Sequence, residues 1–256
     1  MPIQRVISKW AKTEALLAVP ELRALVPDTR RFSRAAMQEL LGRFGMIYAK
    51  PVVGSFGRGV VRVERQSGYN PSYLVQTGVR KFVLPNFDSC YAKLSSVMLR
   101  KPYLVQQGIY LLKYNGRRFD IRVMVQKNPN RMWETTGIIG RLGHPRKIVT
   151  NYHSGGTPMS TDLLLRPYLN GEQRNQLYAR LRRIGVKVAS AMERRYPRVK
   201  ELGIDIALDA GMRPWILEVN TMPDPFIFRK LSSRKTFRRI YRYAVAYGRF
   251  RRLRKA

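Results

Sequence analysis

Residues 202–220 read Leu202-Gly203-Ile204-Asp205-Ile206-Ala207-Leu208-Asp209-Ala210-Gly211-Met212-Arg213-Pro214-Trp215-Ile216-Leu217-Glu218-Val219-Asn220. Two β-forming runs around a glycine predict a hairpin. A tight turn at Gly211-Met212 sets Asp205 opposite Glu218 with both side chains on one face. Asn220, two residues beyond Glu218, shares that face, while Ile204, Ile206, Leu217 and Val219 turn to the core. Acids are scarce in this chain, 16 in 256 residues, yet Glu201, Asp205, Asp209, Glu218 and Asp224 fall within one short stretch. Two carboxylates and an amide on one sheet face repel unless a cation joins them. An all-oxygen set with few protein donors suits Mg²⁺ (or Mn²⁺) that also holds substrate phosphates. The alternative is an ordinary hairpin whose polar face is solvated or neutralised by arginine.

Working back towards the N-terminus, Lys50-Pro51-Val52-Val53-Gly54-Ser55-Phe56-Gly57-Arg58-Gly59-Val60 follows the apolar run Met46-Ile47-Tyr48-Ala49. A strand, a lysine and a glycine-rich turn can bring backbone amides close to phosphate, with the lysine as a point charge. This is neither a Walker A loop nor a dinucleotide fingerprint, and a plain hairpin turn gives the same pattern. Gln106-Gln107-Gly108-Ile109 reads either as a connector between lobes or as a strand end. Asp120-Ile121-Arg122 lies on a strand alternating through Phe119, Ile121, Val123 and Val125; an ion pair between Asp120 and Arg122 is the default there, a phosphate clamp the sharper reading. Thr150-Asn151-Tyr152-His153-Ser154-Gly155-Gly156 is a polar loop able to close over a ligand.

Residues 1–45 read as a helical segment, 46–228 as an α+β body, and 229–256 as a basic C-terminal helix or tail. Residues 66–80 read as hairpin and loop, and Gly171 to Tyr196 as a long helix with the stripe Leu177, Leu181, Ile184, Val188 and Ala191. The tail holds Arg229-Lys230, Arg234-Lys235, Arg238-Arg239, Arg251-Arg252 and Arg254-Lys255. Its residues Phe237, Ile240, Tyr241, Ala244 and Tyr247 fit one apolar helix face, and basic-aromatic interleaving also suits nucleic acid.

Lys plus Arg total 49 against 16 acids, a formal charge of +33, with 45% hydrophobic residues. That apolar content excludes a disordered basic tail, and the charge points to acidic partners. Cys90 is the only cysteine, which excludes a disulfide framework. No apolar run approaches the ~20 residues a transmembrane helix needs. The chain reads as soluble and cytoplasmic.

Taken in order, these motifs resemble the ATP-grasp superfamily, and within it the YheC/YheD family of endospore coat-associated ATP-grasp proteins. The resemblance runs from Val26-Pro27-Asp28-Thr29 to Pro223-Asp224. Lys50 with Gly54, Ser55, Phe56, Gly57 and Gly59 looks like the nucleotide lysine and phosphate lid. Gln106, Gln107, Gly108 and Ile109 look like the adenine hinge. Phe119-Asp120-Ile121-Arg122 is similar to the strand whose arginine reaches the phosphates, and Asn151 to the loop before the last helix. Asp205, Glu218 and Asn220 resemble the metal-binding hairpin.

The resemblance implies two lobes with antiparallel sheets gripping ATP and Mg²⁺. It implies an ATP-dependent ligase in which a carboxylate takes the γ-phosphoryl group and an amine displaces phosphate, with Lys50 and Arg122 carrying the catalysis. An ATP-grasp kinase and a non-catalytic scaffold are the alternatives. The stretch before Lys50 is too short for a full N-terminal pre-grasp domain, so a partner subunit or a large substrate would complete the acceptor side. With +33 net charge, the expected acceptor is acidic, a peptide or polymer. Nucleic acid binding through the tail and association with the spore follow as further expectations.

Overall fold

The computed structural model describes residues 2–68 and 72–251. Arg252, Arg254 and Lys255 of the basic tail lie outside them.

The chain begins with α1 (Lys9–Leu17), α2 (Pro20–Arg23), β1 (Thr29–Arg31) and α3 (Arg34–Phe44). Ser8 and Ser33 cap α1 and α3 by accepting from Ala11 N and Ala36 N. The first lobe continues with β2 (Met46–Pro51), β3 (Val61–Gln66), β4 (Ser72–Thr77), β5 (Arg80–Leu84), α4 (Phe87–Val97) and β6 (Tyr103–Gln107). Its sheet is antiparallel in the order β1-β6-β2-β3-β4-β5. Alternation divides its faces. Ile47, Ala49, Val61, Val63 and Val105 pack under Met37, Leu40, Leu41, Cys90 and Leu94 of α3 and α4, leaving Tyr48 and Lys50 on the other face.

The second lobe holds β7 (Lys113–Tyr114), β8 (Arg117–Lys127), β9 (Trp133–Leu142), β10 (Thr157–Met159), α5 (Thr161–Leu165), α6 (Gly171–Arg195), β11 (Glu201–Leu208), β12 (Pro214–Asn220) and α7 (Arg234–Ala246). Its antiparallel order is β10-β9-β8-β11-β12, with β7 paired to β8. Phe119, Ile121, Val123 and Val125 pack against Leu177, Leu181, Ile184 and Val188 of α6, the helical stripe expected from sequence.

The other face of this sheet is shared. Near the start of β8 it carries Asp120 and Arg122. Farther along, Met124 and Ile139 are covered by Ile227, Phe228 and Ile240 of the C-terminal segment. Gln126 donates to the Ile240 carbonyl and to Tyr247 Oη. Residues 229–251 are therefore a fixed covering layer, and Ile240, Tyr243 and Ala244 form the buried side of α7. Among the described residues no helix is long and apolar enough to cross a membrane.

Two sequence expectations need correction. Residues 1–45 are not all helical, because Thr29–Arg31 joins the first sheet beside β6. The hairpin expected within 66–80 is formed by β4 and β5, with Thr77 paired to Arg80, and α4 follows it as an element the sequence reading did not include. The hairpin turn is longer than expected: Asp209 N donates to Arg213 O, and a bulge after Asp205 pairs Ile206 with Ile216. The extra residue puts Ile216 in the core and Leu217 on the cleft wall, the reverse of simple alternation.

Candidate functional site

A cleft of about 720 Å³ separates the two lobes, within the range of small-molecule sites. Its floor on the second lobe is a lattice of charges on three strands. Asp205 faces Glu218 on β12 and Arg122 on β8 as Cα partners, so the expected Asp–Glu juxtaposition is present. Arg122 Nε donates to Asp205 Oδ1 at 2.5 Å, and Arg141 Nη2 lies 2.9 Å from Asp205 Oδ2. Arg141 also donates to both oxygens of Asp120, at 2.8 and 2.5 Å, where Thr150 Oγ1 adds a third bond at 2.7 Å. The ion pairs thus run between strands, not within the Asp120-Ile121-Arg122 triplet. Burial alone would raise the Asp205 carboxyl, but Arg122 and Arg141 hold it below its ordinary range. Arg141 is pushed up by Asp120 and Asp205 in spite of its burial.

The opposite wall is β2. Lys50 Nζ donates to Gln106 Oε1 at 2.5 Å, and Gln106 Nε2 donates to Thr29 Oγ1 at 2.9 Å. Burial brings the Lys50 ammonium down to about 8; Lys9 adds to the fall, while Glu218 and Asp205 oppose it. Gln107 and Ile109 line the cleft. Gly108 stands behind them, its amide donating to the Met46 carbonyl, and a Cβ there would lie 2.6 Å from the Met46 side chain.

Gly54, Ser55, Phe56 and Gly57 line the cleft as a lid. Gly59 anchors it: its carbonyl accepts from Tyr103 Oη at 2.9 Å. The lid meets the 151–155 turn across the opening. Ser154 Oγ donates to the Phe56 carbonyl at 2.8 Å, and the Phe56 ring stands edge-on to His153. Asn151 lines the cleft, and its carbonyl accepts from Ser154 N and Gly156 N.

Four cationic residues at this site escaped the sequence reading. Arg141 sits on β9 opposite Asp120, and only the pairing of two distant strands identifies it. Arg5, Lys9 and Lys12 arrive on the N-terminal segment. Lys9 Nζ donates to the Gly54 carbonyl at 2.7 Å and lies 3.5 Å from Glu218 Oε1. Lys12 is buried beside it, its ammonium lowered by burial. Their spacing on α1 puts them on one helix face; that signal was present and unused. Cleft-lining cations outnumber carboxylates eight to four, which favours a ligand carrying several negative charges.

The donors fit a hard divalent cation of the magnesium type. Glu218 and Asn220 open on the cleft, and Asp205, though held by two guanidiniums, retains free lone pairs. Among the described residues no three His, Cys, Asp or Glu side chains form a closed metal cluster. The set therefore suits an ion whose shell is completed by phosphate oxygens and water.

Comparison with known proteins agrees with this two-lobed fold. A family model described as YheC/D like ATP-grasp matches residues 3–250. The endospore coat-associated protein YheD of Bacillus subtilis (strain 168) is 23% identical over 226 residues, covering 86% of this chain and 49% of that protein. The endospore coat-associated protein YheC of the same strain is 24% identical over 217 residues, covering 84% and 59%. The chain thus spans about half the length of the curated relatives it matches. Among solved structures, carboxyaminoimidazole ribonucleotide synthase from Aspergillus clavatus complexed with ATP superposes with a TM-score of 0.51 at 11% identity, over 86% of this chain and 46% of that one. N5-carboxyaminoimidazole synthase from the same fungus, in complex with ADP and 5-aminoimidazole ribonucleotide, gives 0.55 at 10%, over 94% and 52%. At such identities the likeness is one of fold.

Proposed function

This chain belongs to the YheC/D-like ATP-grasp family, and on that footing we propose that it is an ATP- and Mg²⁺-dependent ligase acting on an acidic acceptor. The observation that carries the reading is the facing of Lys50 and Arg122 across one cleft, with Glu218 and Asn220 beside them. ATP would lie with its base near Gln107 and Ile109 and its phosphates between Lys50, the 54–57 lid and Arg122. Magnesium, held by Glu218, Asn220 and Asp205, would neutralise the β- and γ-phosphates. Mn²⁺ suits the same oxygens.

Each residue has a physical task in this scheme. Lys50, already short of solvent, offers its charge to phosphate without first shedding water. Arg122 is held in plane by Asp205, so its remaining N–H groups point in a fixed direction. Lys9 joins the lid carbonyl of Gly54 to Glu218, coupling lid closure to the metal side. In the reaction proposed, an acceptor carboxylate attacks the γ-phosphorus, ADP departs, and an amine displaces inorganic phosphate from the acyl phosphate. The cationic excess of the cleft and the +33 charge favour an acidic peptide or polymer as acceptor. By the names of the two Bacillus relatives we extend the proposal to association with the spore.

Hydroxylamine tests this chemistry, because it captures an acyl phosphate as a hydroxamate. Hydroxamate formed from ATP, Mg²⁺ and an oligoglutamate acceptor, and lost in Arg122→Met, is expected. Phosphate transferred to the acceptor with no hydroxamate would make the protein a kinase instead.

A further inference from the structure

A second cavity, of about 270 Å³, opens beside the nucleotide cleft and shares Tyr48, Leu111, Ile148, Val149 and Thr150 with it as a common wall. It lies between β3 and β4 of the first lobe and the β7–β8 turn and 143–150 loop of the second. Seven cationic side chains line it and no carboxylate does. Lys81, Lys113 and Arg146 are exposed at its rim; Arg117, Arg118 and Lys147 are half-buried; Arg62 is buried, 5% exposed. Among the described residues the pair of Arg62 with Glu64 is the one ion pair these seven form. Arg62 Nε is buried without a hydrogen-bond partner. Burial lowers the Arg62 guanidinium, and Arg118 pushes in the same direction by like charge.

A protein does not gather like charges around a small concavity for stability, since each repels its neighbours and a buried unpaired donor costs free energy. Two further contacts hold the walls in place without neutralising them. Gln76 Nε2 donates to the Arg146 carbonyl at 3.0 Å, and Arg117 Nε donates to the Gly143 carbonyl at 2.9 Å. The cavity is small, so the ligand must concentrate its charge. A phosphate group carries nearly two negative charges on three acceptor oxygens, where a carboxylate carries one charge on two.

We propose that this cavity is a second binding site, separate from the nucleotide cleft, for a phosphate-bearing ligand whose phosphate is gripped by Arg62, Arg118 and Lys147. The shared wall places that ligand alongside whatever fills the main cleft. A phosphorylated co-substrate and a phosphorylated effector both meet this chemistry. The site stands on its own residues and does not depend on ATP being the main ligand.

Pyrophosphate, titrated calorimetrically into the full chain in magnesium-free buffer, is the probe. Comparison with Lys81→Gln/Lys147→Gln, with Arg62→Lys and with Lys50→Ala separates the two sites. Binding should weaken about tenfold or more in the double variant, the scale of one lost charge-assisted contact. Arg62→Lys, which keeps the charge and removes the planar fork, should weaken it too, and a pyrophosphate isotherm should survive in Lys50→Ala. Equal binding in wild type and the double variant, with loss in Lys50→Ala, would assign all binding to the nucleotide cleft and overturn the proposal. Citrate competing as well as pyrophosphate would overturn the phosphate assignment. If ATP fails to bind while pyrophosphate binds as described, the reading of the main cleft falls and the second site stands. Phosphate release during turnover, measured with and without a simple phosphomonoester, then separates co-substrate from effector.

Discussion

Arg141 Nη2 bridges Asp120 and Asp205, at 2.5 Å and 2.9 Å, and so ties β9 to β8 and β11 beneath the cleft. All three side chains are almost completely buried. A buried ion pair contributes little beyond what an apolar core would, but breaking one leaves an uncompensated charge. Replacing Arg141 by Met leaves Asp120 without a cationic partner, its one remaining side-chain bond coming from Thr150, and takes from Asp205 one of its two guanidiniums. The expected cost is about 3–5 kcal/mol of folding stability, read by urea denaturation. Nucleotide affinity should fall as well, because Arg141 no longer fixes the Asp205 carboxylate that orients Arg122.

Lys50 gives the site a pH dependence. Its folded value is about 8, against 10.5 when unperturbed. Between those values the unfolded chain holds a proton that the folded chain has released, so the ligand-free protein gains stability from this group as pH rises from 8 to 10.5. Phosphate binding runs the other way, since it uses the charged ammonium. Affinity for ATP should be level below pH 7.5 and fall above 8, approaching about tenfold per pH unit where one proton is required. In Lys50→Arg the profile should be flat to pH 10. An unchanged fall in that variant would move the titration to another group.

Glu201 anchors both ends of the described chain. Fully buried on β11, it accepts from Arg5 near the start of the chain and from Tyr247 and Arg249 near its end. Burial raises the Tyr247 hydroxyl well above its ordinary range, with Glu201 adding to it, so the tyrosine is held as a donor. Glu201→Gln should cost about 3 kcal/mol by unpairing two guanidiniums. Limited proteolysis of the variant should cut first before residue 8 and after residue 246. Cleavage elsewhere first would show that the ends are held by other contacts.

Much of this architecture was legible in the sequence because it rests on local periodicity. Alternation along β8, the stripe of α6 and the strand-glycine-strand pattern at 46–66 each specify an element without reference to the rest of the chain. The Asp205–Glu218 register followed from the turn, and survived because the bulge lies on the turn side of that pair. The same bulge exchanged Ile216 and Leu217 between core and cleft, which no count of alternating residues reveals. Arg141 was hidden because its partners are 21 and 64 residues away along the chain. The 66–80 run reads as hairpin and loop without strand bounds, which come from the pairing of β4 with β3 and β5. The apolar stripe read in the basic C-terminal helix is the face that seals the far half of the cleft-facing sheet.

Calorimetry of ATP binding with and without Mg²⁺, in wild type and in Glu218→Ala, tests the central claim most directly. Glu218 is a quarter exposed at the cleft and supports no core packing, so its loss should leave the fold intact. The account predicts magnesium-dependent binding in wild type that drops by at least about tenfold in the variant, the scale of one lost charged contact. Equal, metal-independent binding in both proteins, or none in either, would contradict it.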